Sequence, residues 1–182
     1  MRIETQRLTL IPTTLEHIRT ELEEPGRLGA LLGVRVPEGW PPGEYDRDAM
    51  EFFRSLLESD PQRYDGWLGW YVVTHDTSPM LVAGAGFLGP PEDGTVEIGY
   101  SVVEEARGAG YATEIVGALV RRAFESDLVQ RVVAETTATN EASQRVLERN
   151  GFTPAGPGRD TASIRFQKVP CRRGRSSDPV RA

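Results

Sequence analysis

The chain has little of what metal and disulfide chemistry requires: one cysteine and two histidines in 182 residues. Cys171 stands alone near the end, which excludes an internal disulfide framework and a cysteine metal site and fits a reducing, cytoplasmic setting. His17 and His75 are too few for a centre built on imidazoles, so no metal is expected. No apolar run approaches the roughly 20 residues that a membrane helix needs. The opening "MRIETQRLTLIP" lacks a basic stretch leading into an apolar one, so no signal peptide is expected there. Positive charge is also short. The formal balance is −6, which argues against a general nucleic-acid binder. Only the end departs from this, with Lys168, Arg172, Arg173, Arg175 and Arg181 against Asp178. Residues 170–182 therefore read as a disordered basic tail with nothing to bury, behind a single domain over 1–169.

No internal repeat interrupts that domain. "RLTLIP" alternates over Arg7–Ile11 and stops at Pro12, as a first strand would. Thr13 with Glu16 makes a capping box for a helix running to about Glu23. A Pro/Gly connection, Pro37–Asp46, leads to a second helix with Ala49, Met50, Phe52, Phe53, Leu56 and Leu57 on its apolar side and Pro61 beyond its end. "GWLGWYVV" (Gly66–Val73) and "MLVAGAGFL" (Met80–Leu88) flank "THDTSP" as a hairpin would. A turn over Pro90–Gly94 precedes a strand at Thr95–Val103. After a long apolar-striped segment comes a valine-rich strand at Gln130–Thr137. A helix over Asn140–Phe152 follows, with Asn140 as its cap and Gly151 at its left-handed end. Ala162–Val169 closes the domain as a last strand. This order predicts a mixed α/β domain.

The striped segment carries the chemistry. Ala112, Ile115, Val116, Leu119, Val120 and Ala123 recur at helical spacing, so a helix from about Gly110 to Phe124 lies on a sheet. With a strand on either side it forms a βαβ unit, whose two strands are expected to be parallel. Gly108, Ala109 and Gly110 sit just ahead of it. A helix start offers unpaired N–H groups and the positive end of the dipole, and small residues let an anion reach them. A phosphate or pyrophosphate is the ligand this arrangement suits. A nucleoside-triphosphate loop would need Gly-Lys-Ser/Thr, and Gly110 is followed by Tyr111 and Ala112. The dinucleotide fingerprint fails too, because Thr113 stands where its third glycine or alanine belongs. Glycines in an ordinary tight turn remain the alternative.

"RGAGYA" (Arg107–Ala112) resembles the acetyl-CoA loop of the GNAT N-acetyltransferases, [Q/R]-x-x-G-x-[G/A]. "VEIGYSV" before it is similar to the fourth strand of that fold, and "YATEIVGALVRRAF" to its central helix. "ETTATNEASQRVLERNGF" (Glu135–Phe152) and "ETQRLTLIP" resemble the branch that includes ribosomal-protein alanine acetyltransferases. The likeness runs from about Glu4 to Val169. It implies one central mixed sheet flanked by helices, with the parallel fourth and fifth strands splayed apart to admit the pantetheine arm of acetyl-CoA. By resemblance Val102 and Val103 pair with that arm through their backbone. The amides of Gly108, Ala109, Gly110, Ala112 and Thr113 hold the pyrophosphate, Arg107 starts the turn, and a strand amide polarises the thioester carbonyl. For Val102 and Val103, plain strand packing is compatible with the same role.

Transfer to an amine needs a proton acceptor and a donor to the departing thiolate. Glu97 is the candidate base, since a glutamate inside an apolar strand is costly unless paired, solvated or used. Alternation puts Glu97, Gly99, Ser101 and Val103 on one face and Val96, Ile98, Tyr100 and Val102 on the other. An ion pair with a neighbouring strand, or a wet rim position, is the alternative for Glu97. Ser143 matches the position at which this branch places a hydroxyl near the sulfur, and its helix has no tyrosine. Local bonding to backbone is the other reading of Ser143. Asn140 resembles the residue that contacts the arm, and an N-cap explains it as well. Trp40, Trp67, Trp70 and Tyr71 fit core packing better than a substrate cleft. Glu104 and Glu105 would oppose a pyrophosphate if they pointed inward, and Glu38, Glu44, Asp46 and Asp48 would suit a cationic acceptor. The expected activity is transfer from acetyl-CoA to a small-molecule amine or a protein N-terminus, with no nucleic acid or membrane as partner and homodimerisation left open. A non-catalytic acyl-CoA-binding module is the rival reading.

Overall fold

Alternating apolar residues set the centre of the sheet: Leu8 and Leu10 are fully buried, as are Val72, Val82 and Phe87 on the strands beside them. The computed structural model describes residues 2–43 and 45–170, so Glu44, Cys171 and the basic residues from Arg172 onward lie outside the described part. β2 (Leu8–Pro12) continues the expected first strand to Pro12, which still pairs with Trp70. It is preceded by a two-residue strand, β1 (Ile3–Glu4), folded back on it. β3 (Gly69–Thr74) and β4 (Leu81–Phe87) form the anticipated hairpin, and β5 (Thr95–Val102) pairs antiparallel with β4. Next come β6 (Arg131–Thr137), β7 (Thr153–Pro157) and β8 (Ser163–Lys168), in the sheet order β1-β2-β3-β4-β5-β6-β8-β7.

Two strands had no clear signature. β1 is too short to show alternation, and β7 contains Pro154, Gly156 and Pro157 with every residue exposed. Prolines are tolerated there because β7 is the sheet's edge and need not donate on its outer side.

α1 (Leu15–Glu23) starts one residue later than the capping box predicts. Thr13 is still held by the sheet, its amide donating to Gly69 O, so Thr14 becomes the cap. The reciprocal bond then comes from His17 Nδ1, which accepts from the Thr14 amide, and Glu16 takes no part. A short helix, α2 (Leu28–Leu32), follows a 3-10 turn at Pro25–Arg27 that the sequence did not signal. α3 (Arg47–Ser59) is capped by Asp46 and buries Met50, Phe53 and Leu57, and α4 (Pro61–Tyr64) is a single turn.

α5 (Tyr111–Phe124) buries Ile115, Val116, Leu119 and Ala123 against the sheet. Each large aliphatic among them contributes about 1.5–3 kcal/mol by leaving water. α6 (Glu141–Arg149) is capped by Asn140, and Gly151 beyond it is left-handed at φ 77°, both as expected.

The strand pairing that positions the site is between β5 and β6. They are parallel, as the βαβ reading requires, and register runs from Thr95↔Arg131 to Glu97↔Val133. There it stops. β6 continues to pair with β8 as far as Thr137↔Ser163, so β5 and β6 part beyond Glu97. The fold is the mixed α/β arrangement with a splayed parallel pair. Among the described residues no helix is long and apolar enough to cross a membrane.

Candidate active site

A cleft of about 580 Å³ opens where β5 and β6 separate. Glu97, Tyr100 and Ser101 of β5, Glu135 and Thr136 of β6, Ser143 of α6 and its cap Asn140 line it. On the far side stand Gly43, Tyr45 and Phe53.

At one end lies the glycine loop. Gly108 and Gly110 have φ of 78° and 80°, a region in which a side chain is strained. A Cβ on Gly108 would meet nothing within 4 Å, so backbone geometry, not crowding, requires glycine there. Gly110 is the N-cap of α5 and offers no side chain to its amides. Among the described residues the N–H groups of Gly108, Ala109, Gly110, Tyr111, Ala112 and Thr113 have no acceptor. Six adjacent free amides at the positive end of a helix fit an anion. Arg107 opens this turn and sends its Nε back to Val102 O at 3.2 Å.

The loop is pinned by a residue that sequence reasoning missed. Arg7, in the turn between β1 and β2, donates Nη1 to Ala109 O at 2.8 Å and Nε to Glu114 Oε2 at 2.8 Å. Its guanidinium carbon lies 4.9 Å from the centre of the Tyr111 ring. Glu114 also accepts from the Arg7 amide and from Thr5 Oγ1. Burial raises the Glu114 carboxyl, but the hydrogen bonds from Thr5 and Arg7 outweigh it and hold its pKa below the ordinary value.

Backbone direction along β5 decides which groups face the opening. The Val103 amide donates to Val82 O, and Glu97 O accepts from the Leu88 amide. Alternation then turns the N–H and C=O groups of Ile98, Tyr100 and Val102 toward the gap. The Val102 carbonyl accepts from Arg107 Nε. Val103 differs: its amide serves β4 and its carbonyl accepts from Ala106, so both its backbone groups are engaged, while its side chain is buried.

Glu97 points into the cleft with its side chain 15% exposed, and it is ion-paired to Arg159 on the β7–β8 connection. Burial raises its pKa and the neighbouring Glu135 adds to that, while Arg159 and Arg165 act the other way. The net direction is upward. Glu135 is itself committed, accepting from Arg165 at 2.7 Å and from the Arg159 amide at 2.9 Å. Burial would raise Glu135 too, yet the hydrogen bonds from Arg159 and Arg165 keep it low.

Ser143 does not spend its hydroxyl on local backbone. Its Oγ lies 2.8 Å from Tyr100 Oη, while its amide donates to the cap, Asn140 Oδ1, at 3.0 Å. Asn140 therefore acts as an N-cap that also lines the cleft. Tyr100 packs on the face that alternation gives it, with Val96 and Ile98, and its hydroxyl reaches α6 at the level where β6 no longer pairs with β5.

The far wall of the cleft is built differently from the acidic surface that the sequence offered. Glu38, Asp46 and Asp48 are exposed and do not line the cleft. The same stretch contributes Tyr45, whose hydroxyl reaches Glu21 Oε2 at 3.3 Å. Glu21 is 5% exposed and also accepts from Trp40 Nε1 and Tyr71 Oη. Its carboxyl is raised by burial against those three bonds. Trp40 and Tyr71 thus hold the wall rather than line the cleft, and Trp67 and Trp70 pack in the core. Glu105 pairs outward with Arg35, and neither it nor Glu104 lines the cleft. No group of three or more His, Cys, Asp or Glu among the described residues could hold a metal ion.

Comparison with known proteins gives a consistent result. Residues 7–153 match the family model described as the acetyltransferase (GNAT) domain. The chain is 30% identical over 151 residues to YjdG of Bacillus subtilis strain 168, named an uncharacterized N-acetyltransferase, covering 82% of this chain and 88% of that one. In three dimensions it resembles an acetyltransferase from Agrobacterium tumefaciens, with a TM-score of 0.64 at 22% identity over 93% of this chain and 95% of that one. It also resembles RimL, the ribosomal L7/L12 alpha-N-protein acetyltransferase, in a complex with coenzyme A. That likeness has a TM-score of 0.64 at 17% identity, over 93% of this chain and 98% of RimL.

Proposed function

Because the chain belongs to the GNAT acetyltransferase family, we propose that it transfers the acetyl group of acetyl-CoA to a primary amine by direct attack in a ternary complex. The observation that carries this reading is the run of six unpartnered amides, Gly108 to Thr113, at the mouth of the splayed strands. It fits the diphosphate end of coenzyme A, and the exposed edge of β5 fits the arm. Bound acetyl-CoA supplies an activated acyl group on a thiol leaving group.

The chain's own residues supply the rest. The amides of Gly108, Ala109, Gly110, Ala112 and Thr113 bind phosphate oxygens, with Arg107 and Asn140 flanking the path. Val102 offers its N–H to the arm, and a β5 amide facing the gap stabilises the thioester oxygen as charge builds on it. Glu97 takes one proton from the incoming ammonium, and its raised pKa makes it a stronger acceptor than an ordinary carboxylate. The neutral nitrogen then forms the N–C bond as the C–S bond breaks. The sulfur leaves as thiolate and takes a proton by way of Ser143 Oγ and Tyr100, a proton regained from the solvent in the cleft, to which the acylated nitrogen sheds its second one.

The acceptor is a small-molecule amine or a protein N-terminus, and the setting is the cytoplasm. One observation favours a rival, a non-catalytic acyl-CoA-binding module: Arg159 covers the carboxylate that would act as base. Release of free thiol from acetyl-CoA over a panel of amines tests the two. Amine-dependent release supports the enzyme, whereas tight coenzyme A binding without release supports the module.

A further inference from the structure

The cover over Glu97 carries information about the acceptor. Among the described residues five charged side chains line the cleft: Glu97, Arg107, Glu135, Arg159 and Asp160. Three of them have partners of their own. Glu135 holds Arg165 and the Arg159 amide, Arg107 bonds Val102 O, and Asp160 Oδ1 accepts from the Ala162 amide. The side chains of Glu97 and Arg159 have only each other among the described residues.

Their mountings differ in a useful way. Glu97 sits on β5 at the last rung of its pairing with β6, with a side chain 15% exposed. Arg159 has its backbone fixed through Glu135, within a connection tied down by Gly158 N–H on Ser163 O and by Asp160. Its side chain is 61% exposed. The guanidinium is thus the movable half of the pair, swinging from a fixed point at the cleft wall.

The guanidinium sits on Oε2 of Glu97, so an ammonium bound at that oxygen takes its place. A plain amine would leave the Arg159 guanidinium with only the neighbouring Glu135 carboxylate, which Arg165 already holds, and a polyamine would add a second cation next to it and Arg107. Both outcomes weaken amine binding, modestly because the Arg159 side chain is 61% exposed. An acceptor with an anion of its own removes the cost, since both protein charges stay paired.

Resting on the acetyl-transfer reading, we propose that the acceptor is a small zwitterionic amine. Its ammonium replaces Arg159 on Glu97, and its carboxylate or phosphate replaces Glu97 on Arg159. Arg159 is then a specificity residue, reading the oxyanion with a planar fork suited to either group. The exchange also removes a cation from Glu97 as the amine arrives, which favours transfer of the ammonium proton to it.

The test follows free thiol released from acetyl-CoA with matched acceptors differing only in the anion. The pairs are alanine against alaninamide and O-phosphoethanolamine against ethanolamine. Wild type, Arg159→Ala and Arg159→Lys are compared. The wild type should show kcat/KM at least about tenfold higher for the anionic member of one pair, and which pair responds tells carboxylate from phosphate. For the first pair this preference runs against the lower basicity of the amide's amine. Arg159→Ala should erase the preference by lowering the anionic member alone, leaving the neutral member unchanged or faster, and Arg159→Lys should keep part of it. Equal rates within both pairs in the wild type would overturn the proposal, as would an equal fall for both members in Arg159→Ala. Coenzyme A binding with no thiol release from any amine would strike down the transfer reading itself, and this inference with it.

Discussion

Tyr100 Oη lies 2.8 Å from Ser143 Oγ and joins β5 to α6 across the point where the sheet opens. The phenol's pKa is raised by burial, against the hydrogen bond to Ser143, so Tyr100 keeps its proton through neutral pH. The pair is a protonated two-hydroxyl unit at the foot of the cleft.

Ser143→Ala should therefore lower kcat by about 10–10³-fold, because the contact to a leaving thiolate strengthens only as charge develops. Affinity for acetyl-CoA should stay nearly constant. Since Asn140 caps α6, the stability loss should be small, on the order of 0.5 kcal/mol. Tyr100→Phe should fall in the same range, and the double variant should be no slower than the worse single one if the two act as a unit. Steady-state kinetics with thermal melts separates the roles. Lost stability with intact kcat would assign Ser143 to the helix alone.

Gly110→Val should weaken coenzyme A binding well over tenfold, that is by more than about 1.4 kcal/mol. The position is left-handed at φ 80°, so valine both strains the turn and covers the amides. Calorimetric titration with coenzyme A reads this directly. Unchanged affinity in a folded variant would remove the loop assignment.

Arg7 and Glu114 make a separate claim about the same loop, since they shape it without lining the cleft. Arg7→Ala should weaken coenzyme A binding several-fold while leaving the amides in place. The sign of the pH effect follows from Glu114, whose folded pKa lies below its ordinary value of 4.5. A depressed carboxyl contributes stability above the unfolded pKa and loses it as pH falls through the folded one. The wild type should melt above Glu114→Gln near neutral pH, and the gap should narrow as pH falls below 4.5 and close once it has passed the lower folded value. A gap independent of pH would mean that the carboxylate's charge contributes nothing.

Local pattern made much of this legible. The stripe from Ala112 to Ala123, the cap at Asn140 and the stop at Gly151 each act within one or two turns of chain, and α5 and the start of α6 lie within a residue of their expected bounds. The residues that escaped are those whose roles depend on distant chain. Arg7 meets Ala109 from the other end of the domain, and Arg159 meets Glu97 from a connection with no periodic signal. Alternation puts Tyr100 on the face of Val96 and Ile98, where it packs, but does not tell which helix its hydroxyl meets across the opening. Gly43 and Tyr45 reached the cleft through a loop held by Glu21, a buried carboxylate that looks like ordinary helix polarity in the sequence.

The central claim is that Glu97 takes the acceptor's proton. Its most direct measurement is the pH–rate profile of thiol release from acetyl-CoA, wild type against Glu97→Gln, on one amine that the wild type acetylates. A base must be ionised, and burial first of all holds the Glu97 pKa above its ordinary value of 4.5. Activity should thus fall as pH drops through that raised value. Glu97→Gln should lower kcat/KM by roughly 10²-fold or more and lose this acidic limb, with coenzyme A affinity unchanged. A glutamine variant that keeps full activity and the same limb would contradict the account and leave Glu97 as no more than Arg159's partner.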